Sequence, residues 1–437
     1  MTKLQTPVLT AILALACALP SAAQLTAAAP AAALKAAAPQ SPSAGTVEAE
    51  WNFLKAAGQD KEEDVLELAL PQLEDWLARN PENANSAEAQ LLKANLHLKL
   101  GDHKSALIDL LVHFQAYPQS DSGEEARKLF ADVLAKKSDK KMRPALDEAS
   151  LAPETAVAEF NISSMLEKLA AQAGEVYYEP LIAEFRVFFN RFPGYAKNDA
   201  LLLALADLHQ KKGEYLAARL NYEKMMRLHP ASPLQARAKR SLGTLLADNL
   251  KAYDKAIEVY QDIAVSFPGT EEAWTAYGRL PVLAEKQKKY DLAVQVHEKI
   301  IELYPDRDEA YNSYKAEARV LREELNNFPE AVAVLNRLAD KYKGEKAIAA
   351  LQLAAEICRK DLKDSEGEVK MYDRIAAEYE ADAAAPAALY AAGEVFFKMK
   401  DGEKAREYFQ KVLDLYAENP LAKKAGGRVS AIMSGKF

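Results

Sequence analysis

Cysteine, histidine and glycine are all scarce in this chain, and each scarcity removes a class of protein. Two cysteines among 437 residues, Cys17 and Cys358, cannot build a disulfide framework, and neither has histidine company at metal-ligand spacing. The six histidines (His97, His103, His113, His209, His229 and His297) include no His-x3-His pair, so no metal site is expected. Glycine is limited to 17 residues, with no phosphate-binding Gly-rich loop, no Gly-x-Ser-x-Gly elbow and no dinucleotide fingerprint. Alternating apolar and polar runs are also rare, which argues against sheets. Basic residues are the minority, 56 against 64 acidic ones, for a net charge of −8. A general nucleic-acid or anionic-membrane binder needs clustered positive charge, so neither is expected.

The remaining chemistry is thin. Glu271-Glu272 and Glu323-Glu324 are adjacent in sequence and point to different helix faces. Ser138-x-x-Lys141 spells a serine–lysine tetrad but lacks its companion Ser-Asp-Asn and Lys-Thr-Gly motifs. Cys358 follows Ile357 on an apolar stretch and reads as an inert core thiol. No catalytic residue and no cofactor is assigned, and the chain is read as a non-enzyme.

What is present falls into zones. Residues 1–23 have the form of a secretory signal: Lys3, an apolar run from Val8 to Leu19 bracketed by Pro7 and Pro20, and Ser21-Ala22-Ala23 before Gln24. Cys17 raises a lipoprotein reading, which is the weaker one because Ala14 stands where lipobox motifs carry Leu. The chain is therefore expected in the periplasm or at the outer membrane of a bacterium. Residues 24–46 are almost entirely Ala, Pro, Ser, Thr and Gln, with Lys35 the only charge before Val47, and read as a flexible spacer.

From residue 47 to 420 a helical stripe recurs every 37 or 38 residues: a small residue, apolar side chains at +4, +7 and +11, and often Pro at +12. Its first residues are Ala69, Ala106, Leu181, Ala218, Ala256, Ala293, Ala331, Glu368 and Ala405. These offsets fall within about a 60° arc of one helix face. Another apolar helix lies between successive stripes, joined to the next by short turns such as Lys212-Gly213-Glu214 and Lys400-Asp401-Gly402. Fixed-period self-similarity of this length is the signature of an all-α solenoid of about ten helix-turn-helix repeats. One slot is eroded: Ser138 to Pro153, with Lys140, Lys141, Arg143 and Pro144, reads as a degenerate second helix. Residues 421–437 read as a capping helix, with Leu421, Ala425, Val429 and Ile432 on one face and Lys423, Lys424 and Arg428 opposite.

The units resemble the tetratricopeptide repeat, through Leu242-Gly243, Ala256-x3-Tyr260 with Pro268, Ala218-x3-Tyr222 with Pro230, and Ala405-x3-Phe409. The period exceeds that family's usual span of about 34 residues. Longer repeats behind a signal look like bacterial envelope members, the outer-membrane assembly lipoproteins and the Tol–Pal coordinators. The resemblance implies a right-handed superhelix whose concave face, lined by first helices, grips peptides or partner proteins. Taking Gly243, Gly278 and Ala318 as equivalent close-packing points gives a groove register of Arg237, Arg240, Thr244, Arg279, Asn312, Lys315 and Arg319. A partner protein or peptide with acidic or carboxylate groups is expected there. A glycan or cell-wall peptide is the alternative occupant, disfavoured because only Trp51, Trp76 and Trp274 are available for stacking.

Overall fold

The computed structural model describes residues 44–435 except Glu154. The expected export signal, Cys17 and the spacer up to residue 43 lie outside the described residues. Every regular element among the described residues is helical. Ten helix pairs follow one another in sequence: α1 (Ala44–Ala57) and α2 (Glu63–Arg79), α3 (Ser86–Lys99) and α4 (His103–Ala116), α5 (Gly123–Lys137) and α6 (Arg143–Ala149), α7 (Ala158–Gln172) and α8 (Tyr178–Arg191), α9 (Asn198–Lys212) and α10 (Tyr215–Leu228), α11 (Gln235–Thr244) and α12 (Tyr253–Ser266), α13 (Glu271–Lys286) and α14 (Tyr290–Leu303), α15 (Asp308–Glu323) and α16 (Phe328–Lys341), α17 (Glu345–Ile357) and α18 (Ser365–Glu378), α19 (Ala384–Lys398) and α20 (Gly402–Leu415). A final helix, α21 (Pro420–Met433), packs on α20 with its exposed side carrying Lys423, Lys424 and Ser430. From α9 onward each first helix packs on its own second helix, and that second helix on the next first helix. This is an α-solenoid whose buried residues form successive clusters along the chain, bridged by partly buried side chains such as Phe189 and Tyr372.

The stripe is the inner seam of each second helix. Ala106, Ala218, Ala256, Ala293, Ala331 and Ala405 are wholly buried, and one turn on, Tyr222, Tyr260 and Phe409 are equally enclosed. Those rings need a small residue opposite. A Cβ on Gly243 would stand 3.0 Å from the Tyr260 ring, and one on Gly393 2.7 Å from Phe409. Proline does not dictate the helix ends by itself. Residues before Pro81, Pro118, Pro268 and Pro305 adopt φ near −130° and ψ near 50°, but so do Tyr379 and Tyr416, which precede no proline.

In seven of the ten pairs the turn closes with a left-handed residue two places before the second helix. Gly101 and Gly213 fill that place in two repeats; Lys251, Lys288, Asn326, Lys363 and Lys400 fill it in five others. Gly402, expected to serve the last turn, instead opens α20. A side chain in the left-handed region costs about 1–2 kcal/mol, partly offset by glycine's larger entropy loss. Lys288→Gly and Lys400→Gly should therefore each stabilise the fold by about 0.5–1 kcal/mol in a urea melt. Lys251→Gly and Lys363→Gly should gain less, because those amines donate to the carbonyls of Asp248 and Lys360. Equal gains at all four sites would show that these amine contacts contribute nothing.

The eroded slot is a break in the stack. Helix α6 has only seven residues and hardly touches α5. α4 packs on α5, but also directly on α7 and α8, and α2 packs on α8, so the stack also closes past the α5–α6 unit. Gln115 of α4 donates to the carbonyls of Ala149 and Leu151 after α6, and Asn161 of α7 to those of Gln115 and Thr155. Asn161 is thereby buried within the structure. Ser138 donates to the carbonyl of Leu134 and accepts from Arg143, a structural role.

Candidate functional site: the first-helix groove

First helices bury one face against their second helices, at Ala170, Ala206, Gly243 and Ala318. Positions one after, three before and six before such a point turn to the opposite side. In α9 these are Asp207, Leu203 and Ala200; all three line a cavity of about 770 Å³. Its other walls are Glu167, Ala170 and Ala171 of α7, and Leu234, Arg237 and Asn249 at α11, with Gln210 and Lys211 beside Asp207. Every lining residue belongs to, or flanks, a first helix. A second cavity of about 430 Å³ lies between α15 and α17, lined by Asn312, Lys315, Arg319 and Arg322 against Leu353 and Ile357.

The expected register therefore places Arg237 in the first cavity and Asn312, Lys315 and Arg319 in the second, but not the remaining three residues. Thr244 turns to the second helix, its hydroxyl 3.1 Å from that of Tyr260. Arg240 is half-buried and makes no hydrogen bond or ion pair among the described residues. Gly278 is not a close-packing point. It is exposed, and a Cβ there would meet nothing within 4 Å. The buried residues of that turn are Leu280 and Pro281, where the repeat period counted from Gly243 falls. Arg279 is thus displaced sideways, where it pairs with Asp248.

The electrostatics also differ from the sequence expectation. Arginines on the first helices pair with carboxylates on the preceding first helix: Arg237 with Asp207 at 3.2 Å, Arg319 with Glu285 at 2.7 Å, and Arg428 with Glu394 at 2.6 Å. Arg322 reaches forward to Glu356 and Asp361. The row of arginines is largely neutralised from within. Lys315 has no carboxylate partner and lies over the Tyr311 ring. In the first cavity Glu167 is pushed upward by burial, against the pull of Lys197. Asp207 accepts from Tyr222 at 2.5 Å; burial first, and then the charge of Asp207, raise the phenol.

Glu167 and Asp207 follow the same register counted from Ala170 and Ala206, whereas Gln210 and Lys211 lie one turn further along α9 and carry no such signal in the sequence. Among the described residues no three or more His, Cys, Asp or Glu side chains gather to hold a metal. No helix among them is long and apolar enough to cross a membrane. Cys358 is buried, and its thiol is pushed upward by that burial.

Comparison with known families matches the tetratricopeptide repeat at residues 203–271 and again at 387–419. These two stretches are thus recognised as tetratricopeptide repeats, a repeat that generally serves as a protein-interaction scaffold. No curated protein matches it. Similar solved structures include a tetratricopeptide repeat protein from Parabacteroides merdae, at 16% identity over 62% of this chain and 98% of that one, TM-score 0.32. Yeast Tom70 aligns at 15% identity over 89% of this chain and 88% of its own, TM-score 0.23. RapI in its apo form aligns at 11% identity over 87% and 99%, TM-score 0.33.

Proposed function

We propose that this chain is an exported, non-catalytic scaffold of the bacterial cell envelope, holding partner proteins by segments laid along its first helices. The observation that carries the binding role is the pair of cavities lined by first-helix residues from consecutive repeats. A groove built this way offers apolar floor and polar rim together, as binding clefts do. Export is supported by Lys3, the Val8–Leu19 run and Ser21-Ala22-Ala23. Free cations remain at Arg240 and Lys315, and these would meet a partner's carboxylates.

One preparation tests both parts. Photo-crosslinking residues placed at Ala204 and Ala316 in cells should trap a discrete partner, and mass spectrometry of the same protein should show a mature start at Gln24. Reversing charge at Arg240 and Lys315 together should leave helicity intact and weaken trapping by about tenfold or more, since each desolvated charge contact is worth about 1–2 kcal/mol. Unchanged trapping would remove the carboxylate-binding part, and an uncleaved N-terminus would remove export.

A further inference from the structure

The cavity across α7, α9 and α11 has four ionisable residues on its wall, Glu167, Asp207, Lys211 and Arg237, and they are not equally available. The ammonium of Lys211 donates to the last carbonyls of α7, Ala170 at 2.9 Å and Ala171 at 3.0 Å. The guanidinium of Arg237 is held by Asp207. Both cations thus have protein partners already. Glu167 has no hydrogen bond or ion pair among the described residues. Lys197, the cation whose charge acts on it, lies over the Phe160 ring at 5.2 Å. The floor between these charges is made of small side chains, Ala170, Ala171, Ala200 and Ala204, with Leu203 and Leu234 beside them.

Resting on the scaffold reading of this groove, we infer that the α7–α9–α11 cavity takes a basic side chain of the bound segment, its ammonium on Glu167 and its aliphatic stem along the alanine floor. Charge complementarity selects this occupant. An anion would find Lys211 and Arg237 already engaged and would face the unpaired Glu167. A lysine gains a carboxylate acceptor, and its methylenes cover apolar surface that is otherwise wet. The alanines leave the width such a stem needs, and a cavity of about 770 Å³ holds several residues of an extended chain. The sign is opposite to that at Lys315, where a carboxylate is expected. A single segment spanning both cavities would thus be basic where it crosses α7–α11 and acidic where it crosses α15–α17.

The test uses the full chain and labelled alanine peptides with capped ends, carrying lysine, glutamine or glutamate at every third place, read by fluorescence anisotropy. The lysine peptide should bind tightest, weaken with added salt, and lose about tenfold in affinity in Glu167→Gln, the order expected for one partly desolvated charge contact. Glu167→Lys should abolish lysine-peptide binding. Glu167 makes no hydrogen bond or ion pair that holds the fold and burial already opposes its charge, so Glu167→Gln should melt no lower than the wild type, which separates lost binding from lost folding. A photo-crosslinker at Ala204 should label the lysine peptide, and one at Val265, exposed on a second helix, should not. Lysine-peptide binding unchanged by Glu167→Gln, a glutamine or glutamate peptide bound as well as lysine, or equal labelling from Val265 would each overturn the inference. Partner trapping at Ala204 in cells, without any preference for lysine, would leave the scaffold standing and remove only the basic occupant.

Discussion

Lys93→Met is expected to destabilise the protein by about 3–5 kcal/mol, the usual consequence of leaving buried charge without its partner. Lys93 lies on α3 with its side chain 4% exposed, and its ammonium meets Glu74 of α2 and Asp109 of α4 at 3.0 Å each and Glu184 of α8 at 3.4 Å. His97 closes the group through Asp109 at 2.5 Å. Burial works against the lysine's charge, but Asp109, Glu184 and Glu74 outweigh it and hold the ammonium protonated well above the ordinary lysine value. Burial pushes Glu184 to about 7 against the pull of Lys93. This cluster joins α8 to helices about a hundred residues earlier, past the α5–α6 unit. Its loss should therefore show as early hydrogen exchange in α8 as well as a lower urea midpoint. Replacing Lys93, Asp109 and Glu184 together by apolar residues of like size should recover most of the loss, because the penalty lies in the unpaired charge. A loss under 1 kcal/mol for Lys93→Met alone would show that water or a rearranged His97 substitutes for the lysine.

His297→Phe should stabilise the protein, and by more in acid than in base. His297 occupies the stripe position that Tyr260 and Phe409 hold in other repeats, and both its ring nitrogens are buried without a hydrogen-bond partner. Burial, with Arg319 nearby and only Glu285 opposing, lowers its pKa to about 4. Between that value and the unfolded histidine value the unfolded chain binds the extra proton, so this group's contribution to stability falls as pH falls. The phenylalanine variant escapes that loss. At pH 8 the gain should be about 1–2 kcal/mol from removing two unsatisfied nitrogens, and at pH 5 about 2 kcal/mol more. His113, buried and lowered to about 4 chiefly by desolvation, has the same sign.

Glu184 and Glu317 act in the opposite direction. Both are raised by burial to about 7, so the folded state holds protons that the unfolded state has released, and stability falls as pH rises from the unfolded glutamate value towards 7. The wild type should accordingly show a shallow pH profile from 5 to 7. The His297→Phe variant should lose stability over that range, as Glu317 is left uncompensated. Identical gains for the variant at pH 5 and pH 8 would refute the buried-neutral account of His297.

Much of the architecture was legible in the stripe because second-helix seams depend on local spacing. A small residue followed by an aromatic four places on needs no knowledge of distant chain, and Ala218 with Tyr222 or Ala405 with Phe409 packs as the period implies. The groove was half legible for the same reason: on α11 and α15 the positions counted from Gly243 and Ala318 put Arg237, Asn312, Lys315 and Arg319 into the cavities. At Gly278 residue type and period disagree: the period falls at Leu280 and Pro281, and those are the residues buried there. The sign of the groove was not legible, since Arg237, Arg279 and Arg319 are neutralised by carboxylates about one repeat earlier and counting basic residues on one helix cannot reveal them.

Sequence alone determined the class of element, the repeat and its seams, because helical periodicity and the need to bury it are properties of short stretches. Tertiary structure decided that α8 closes onto α2, α3 and α4 around Lys93, that the stack also closes past the α5–α6 unit, and that Glu167 is the carboxylate left open in the first-helix cavity. Each of these depends on which charges meet across long separations in a medium poor in water, where the strength of a pair is set by burial and by what else surrounds it.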